Sequence, residues 1–123
     1  MTNILRTTGQ SPIFPGAVAH DGLILTSGVI HPALFEPTNP VPGFREQASV
    51  ALEEVLRFVS DAGGSPDTVL KVDAYLSKPE HVTVWNEVFT AVWPVPGPAR
   101  LTLVTAFVLP GLEIEIQAVA ARS

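Results

Sequence analysis

Apolar residues recur every three or four positions in two stretches of this chain and every second position in several others, which predicts two helices set among strands. From Phe44 to Ala62, the residues Phe44, Ala48, Ala51, Leu52, Val55, Phe58, Val59 and Ala62 share one helical face, and Arg45, Glu46, Glu53, Glu54 and Arg57 point toward water. Gly63-Gly64 ends this helix as a C-terminal glycine in the left-handed region would. A second helix is expected from about Pro79 to Trp93, with Val82, Trp85, Val88, Phe89 and Val92 on one face; Pro94, Pro96 and Pro98 stop it.

Strand signals surround these helices. Ala17 to His20 and Leu23 to Ser27 are short apolar runs joined by Asp21-Gly22, a two-residue hairpin signature. Val69 to Leu76 alternates, with Val69, Lys71, Asp73 and Tyr75 on one side and a dry face of Leu70, Val72, Ala74 and Leu76 on the other. Ala99 to Val108 and Glu113 to Ala121 read as two further strands separated by Leu109-Pro110-Gly111. Pro32, Pro37, Pro40 and Pro42 deny backbone donors between Gly28 and Pro42, which is expected to be an extended loop. The resulting order, β-β-α-β-α-β-β, is that of an α+β fold with two helices on one face of a sheet, and residues 1–123 are expected to form a single domain.

Composition narrows the chemistry. The chain has no cysteine, so disulfides, thiolate nucleophiles and cysteine-based metal sites drop out. A formal net charge of −5, with the seven Lys and Arg scattered, argues against a nucleic-acid partner. No 18-residue apolar run and no signal-like N-terminus occur, so the expectation is a cytoplasmic protein without a membrane partner. At 46% apolar and 15% charged, the chain carries more apolar surface than a small interior needs, and a second subunit is the natural cover.

Two ionisable residues stand out. Arg100, in Pro98-Ala99-Arg100, opens a strand whose next residues include Leu101, Leu103 and Val104, so the segment is expected to enter a core, where a guanidinium needs an anion. Either a ligand carboxylate or an internal Asp or Glu would serve. Glu115 lies in mid-strand with Glu113 and Gln117 on a polar face opposite Ile114 and Ile116, either as a solvated or interface face or as a site. Desolvation would raise its pKa and a nearby arginine would lower it. His20, His31 and His81 lack metal-ligand spacing, so no metal is expected.

Seven segments in order resemble the Rid family of reactive intermediate deaminases, also called the YjgF family: Thr26-Ser27-Gly28, Glu46-Gln47-Ala48, Ala62-Gly63, Val69-Leu70-Lys71, Trp85-Asn86-Glu87-Val88-Phe89, Pro98-Ala99-Arg100 and Ile114-Glu115-Ile116-Gln117-Ala118. The resemblance spans nearly the whole chain. It implies a chorismate-mutase-like fold, a homotrimer with active sites at subunit interfaces, and cofactor-independent hydrolysis of enamines and imines such as 2-aminoacrylate to 2-keto acids and ammonia. It implies catalytic roles for Arg100, as the clamp on the substrate carboxylate, and for Glu115, as the group that positions water. It also implies substrate contacts at Phe14, Ser27, Gly28 and Asn86, with Asn86 read first as a residue that fixes local structure. Alternatives in keeping with it are a deaminase for a larger amino-dienoate or aminoacrylate, and a non-catalytic trimer that binds small carboxylates in a regulatory or chaperone-like role. The chain departs from many members at Phe14, where they have tyrosine, at Thr102, where they have cysteine, and at Gln117, where they have a second glutamate; these point to a divergent branch with its own pocket.

Overall fold

A computed structural model describes residues 3–36 and 39–123. Six strands form one mixed sheet: β1 (Leu5–Arg6), β2 (Ala17–His20), β3 (Leu23–Thr26), β4 (Val69–Leu76), β5 (Ala99–Val104) and β6 (Ile114–Ala121), in the spatial order β1-β2-β3-β6-β4-β5. All neighbours are antiparallel except β4 and β5, which are parallel and joined through a helical crossover. The helices are α1 (Phe44–Asp61) and α2 (Val82–Val92). Among the described residues, no helix is long and apolar enough to cross a membrane.

The alternation along β6 sets the layers. Ile114, Ile116, Ala118 and Ala120 are buried against the apolar faces of both helices, together with Val72, Ala74 and Leu76 of β4. Leu52, Val55 and Phe58 of α1 and Trp85 and Phe89 of α2 fill this layer; burying each such large side chain is worth about 1.5–3 kcal/mol. Both helices thus cover one face, as expected. The other face presents Leu23, Leu25, Leu101 and Leu103, each more than 40% exposed.

Several expectations shift in detail. β1 is an added strand, two residues long and too short to show a period; it pairs Leu5 with Ala19 and Arg6 with Val18. In the hairpin turn it is Asp21, at φ 53°, that takes the left-handed conformation, which Asp tolerates better than most residues. The stretch expected to be wholly extended contains a 3-10 turn at Pro32–Phe35, because proline is well suited to a first helical position and the His31 ring accepts from Ala33 N at 3.1 Å. Pro37 lies outside the described residues.

Gly63 does cap α1 at φ 101°, a conformation that favours glycine. In β4 the dry face is Val69, Val72, Ala74 and Leu76, while Leu70 is exposed: a bulge between Val69 and Lys71 inserts one residue and flips the start of the strand. A 3-10 turn at Pro79–His81 precedes α2. β5 ends at Val104 rather than Val108, and it does not enter the core of this chain. It is an edge strand whose Leu101, Leu103 and Val104 stay 41–50% exposed.

Candidate functional site

Glu115 is positioned by the break between β3 and its continuation. Val29 returns to pair with Ile116 through hydrogen bonds of 2.8 and 3.0 Å, and this lays Gly28 directly over the Glu115 carboxylate. A side chain at position 28 would meet Glu115 Oε2 and push the carboxylate aside, so glycine leaves the carboxylate where it is. The neighbouring Ser27 is tied twice, its backbone N–H donating to Gly16 O at 3.0 Å and its hydroxyl to Pro15 O at 2.7 Å. These bonds hold the Phe14–Pro15 segment beside Glu115.

Phe14, Ser27, Gly28 and Glu115 line one cavity of about 350 Å³. Its remaining walls are Ile30, Phe35, Phe107, Val108, Leu109 and Leu112, of which Ile30, Phe107, Leu109 and Leu112 belong to one apolar cluster. Among the described residues, no hydrogen-bond donor meets the Glu115 carboxylate, and burial raises its pKa above the ordinary carboxylate value. A half-buried carboxylate with free lone pairs can take a proton from water and return it.

The wall from Thr105 to Leu112 is held at both ends. Thr105 N donates to Leu76 O at 2.9 Å. At the other end Gln47 of α1, fully buried, donates to Pro42 O at 2.8 Å and Gly111 O at 2.9 Å, and accepts from Glu113 N at 2.9 Å. The Glu113 carboxylate in turn pairs with His81 at 3.0 Å, and the His81 ring stacks on Phe44 with centroids 4.0 Å apart.

Arg100 belongs to a second group. Its register partner in β4 is the buried Val72, so its side chain leaves the sheet on the helix side, where the guanidinium carbon lies 4.3 Å from the centroid of Phe89 and 5.9 Å from that of Trp85. Its Nη2 donates to Asn86 Oδ1 at 2.8 Å and, at a long 3.5 Å, to Thr102 Oγ1. Desolvation lowers its pKa, though arginine remains cationic. No Asp or Glu among the described residues pairs with it, so an internal carboxylate does not fill the anion role. Asn86 thus meets the guanidinium rather than a helix or loop backbone.

Within one chain these groups stay apart. Glu115 pairs in register with Tyr75, on the face without helices, whereas Arg100 shares the helix face with Val72. Residues that sequence reasoning did not single out are the apolar walls Ile30, Phe35, Phe107, Val108, Leu109 and Leu112, together with Gln47. Gln47 carries a readable signal, because it falls between Phe44 and Ala51 on the dry face of α1, where a polar residue needs partners. Among the described residues, no cluster of three or more His, Asp or Glu could hold a metal ion.

A family model described as Endoribonuclease L-PSP matches residues 2–122. Protein mmf2, mitochondrial, of Schizosaccharomyces pombe is 36% identical over 111 residues, which cover 86% of this chain and 85% of that one. Among solved structures, RidA from the Antarctic bacterium Psychrobacter sp. superimposes with a TM-score of 0.80 at 28% identity, over 94% of this chain and 97% of its own. A YjgF family member from Neisseria meningitidis does so with a TM-score of 0.81 at 25% identity, over 99% and 97%.

Proposed function

The chain belongs to the endoribonuclease L-PSP family, whose solved members include YjgF and RidA proteins, and from this premise we propose that it is an enamine and imine deaminase acting on 2-aminoacrylate-like substrates. The carrying observation is that, among the described residues, a half-buried carboxylate with no hydrogen-bond donor and a ring-backed guanidinium with no carboxylate partner stand on opposite faces of one sheet. Residues 1–123 act as one domain, and the two halves of the site meet when the helix-free face of one copy, with Leu23, Leu25, Leu101 and Leu103, packs in a homotrimer.

Arg100 of one copy grips the substrate carboxylate, its planar fork donating two parallel charge-assisted hydrogen bonds. Glu115 of another copy orients water against the imine carbon. An enamine first becomes the imine by moving a nitrogen proton to its methylene carbon. Water then adds across C=N, one proton passing through Glu115 to the nitrogen. The carbinolamine hydroxyl gives its proton to the nitrogen as C=O forms and the C–N bond breaks, so that a 2-keto acid and ammonia leave; no electrons change hands and no cofactor is required. Holding both reactants supplies much of the rate, since proximity can lower a barrier by several kcal/mol, roughly 7–11 in the best cases.

RNA cleavage, which the family description mentions, is disfavoured by the net charge of −5 and the scattered cations. The cytoplasmic expectation has no support from the fission-yeast relative, whose name places that protein in mitochondria. The test is ketoacid formation from 2-aminoacrylate generated in place by a dehydratase. The protein should accelerate it; identical rates with and without protein would overturn the proposal, and binding of keto acids without turnover would favour a non-catalytic carboxylate-binding trimer.

A further inference from the structure

The cavity over Glu115 is built for more than a two-carbon fragment. It measures about 350 Å³, at the lower end of the range for small-molecule sites, and seven of its ten lining residues are apolar. Among the described residues, Glu115 is its one ionisable lining residue, and no cation lines it. A substrate carboxylate placed there would face the half-buried Glu115 carboxylate with no cation to offset it, so the charged end of the substrate must point out of this cavity. What remains inside, beside the imine carbon, is the substrate side chain.

The lining matches an apolar side chain. Phe14 presents a ring without a hydroxyl, and Phe35 and Phe107 supply two more rings. Val108, 97% exposed, and Phe35, 41% exposed, sit at the rim, where an apolar ligand would cover them. The Phe107–Leu112 wall is fixed by Gln47, whose bonds to Gly111 and Glu113 run from the rigid helix α1. A methylene group would leave most of this surface in water and gain little from it.

We infer that this cavity selects imino and enamino acids with a large apolar or aromatic side chain over 2-aminoacrylate itself. The inference rests on the deaminase reading for its reaction and on the cavity for its selectivity, and two measurements separate these. The first compares kcat/KM for the imines of phenylalanine and leucine, generated in place by an amino-acid oxidase with catalase, with that for 2-aminoacrylate. A preference of about tenfold or more for the larger imines is expected, and an equal or reversed preference overturns the selectivity.

The second measures binding of the corresponding keto acids, phenylpyruvate against pyruvate, by calorimetry, and needs no turnover. Phenylpyruvate should bind about tenfold more tightly. If it does while no imine is turned over, the selectivity stands and the deaminase reading falls; equal binding overturns the selectivity whether or not turnover occurs. Phe35→Ser and Val108→Asp change exposed rim residues, so the fold, checked by circular dichroism, is kept. Each should lower the large-to-small ratio about fivefold to tenfold. An unchanged ratio in both variants overturns the assignment of this cavity as the side-chain pocket.

Discussion

Arg100 and Glu115 face away from each other across one sheet, with β4 lying between their strands. A small imino acid cannot touch both within a single chain, so a site that uses both must draw them from two copies. Arg100→Ala and Glu115→Gln should each abolish deamination alone. Co-refolded in equal amounts, the two inactive variants should recover about a quarter of the wild-type activity, the share of interfaces that unite an intact arginine with an intact glutamate. Activity that stays at the level of the separate variants would place both residues in one subunit's site or outside it.

Glu115 has a raised pKa because it is desolvated. Between the unfolded and folded values the native state binds more protons than the unfolded one, so this residue's contribution to stability is greatest at low pH and falls as pH rises through the folded pKa. Glu115→Gln should therefore raise Tm at neutral pH and flatten its decline with pH. In the wild type, kcat/KM should fall as the pH drops through a pKa above the ordinary carboxylate range, since the base must be ionised. Differential scanning fluorimetry and a pH–rate profile check both limbs.

Gly28→Ala places a methyl group against Glu115 Oε2. Gly28 does not have a positive φ, so the backbone tolerates alanine, and because the atoms met belong to the Glu115 side chain, which can swing away, the cost in stability is small. The carboxylate should be displaced and kcat/KM should drop at least about tenfold with the secondary structure unchanged. Wild-type kinetics in this variant would show that the glutamate has no fixed position to lose.

Gln47→Leu leaves Glu113 N and Gly111 O without their partners. Both groups are only partly shielded, Gly111 being exposed, so water replaces part of what is lost and urea unfolding should show a loss of about 1–3 kcal/mol in all. Hydrogen exchange at residues 109–113 should quicken more than in α1, because that is the segment Gln47 ties down.

Asn86→Ala frees the Arg100 guanidinium from its 2.8 Å partner while the Phe89 ring still backs it. The expected result is a higher KM with a smaller change in kcat, about threefold to tenfold in KM, for a clamp less well held. A fall in kcat alone would give Asn86 a part in the chemical step.

Much of the fold is legible because its cues are local. The Phe44–Ala62 face, the Asp21-Gly22 hairpin and the Ile114–Ala120 alternation each lie within one element, and the backbone period converts them directly into a buried side. Where residue type and place conflict locally, the reading fails: Leu70 looks like a dry-face residue until a bulge turns it outward, and Phe107-Val108 looks like strand but forms a pocket wall. Arg100 and Glu115 stood out from their own strands, and the family resemblance added Phe14, Ser27 and Gly28, which share a cavity with Glu115, and Asn86, which is hydrogen-bonded to Arg100.

The sequence settled where the two main helices and the longer strands lie, which side of α1, α2 and β6 is dry, and which two ionisable residues lack an obvious reason to be where they are. Tertiary structure alone decided that β6 inserts between β3 and β4, that β5 is an exposed edge, and that Arg100 and Glu115 end on opposite faces. The physical reason is range: a side chain's period depends on its neighbours along the chain, whereas strand order and face depend on pairings between residues tens of positions apart.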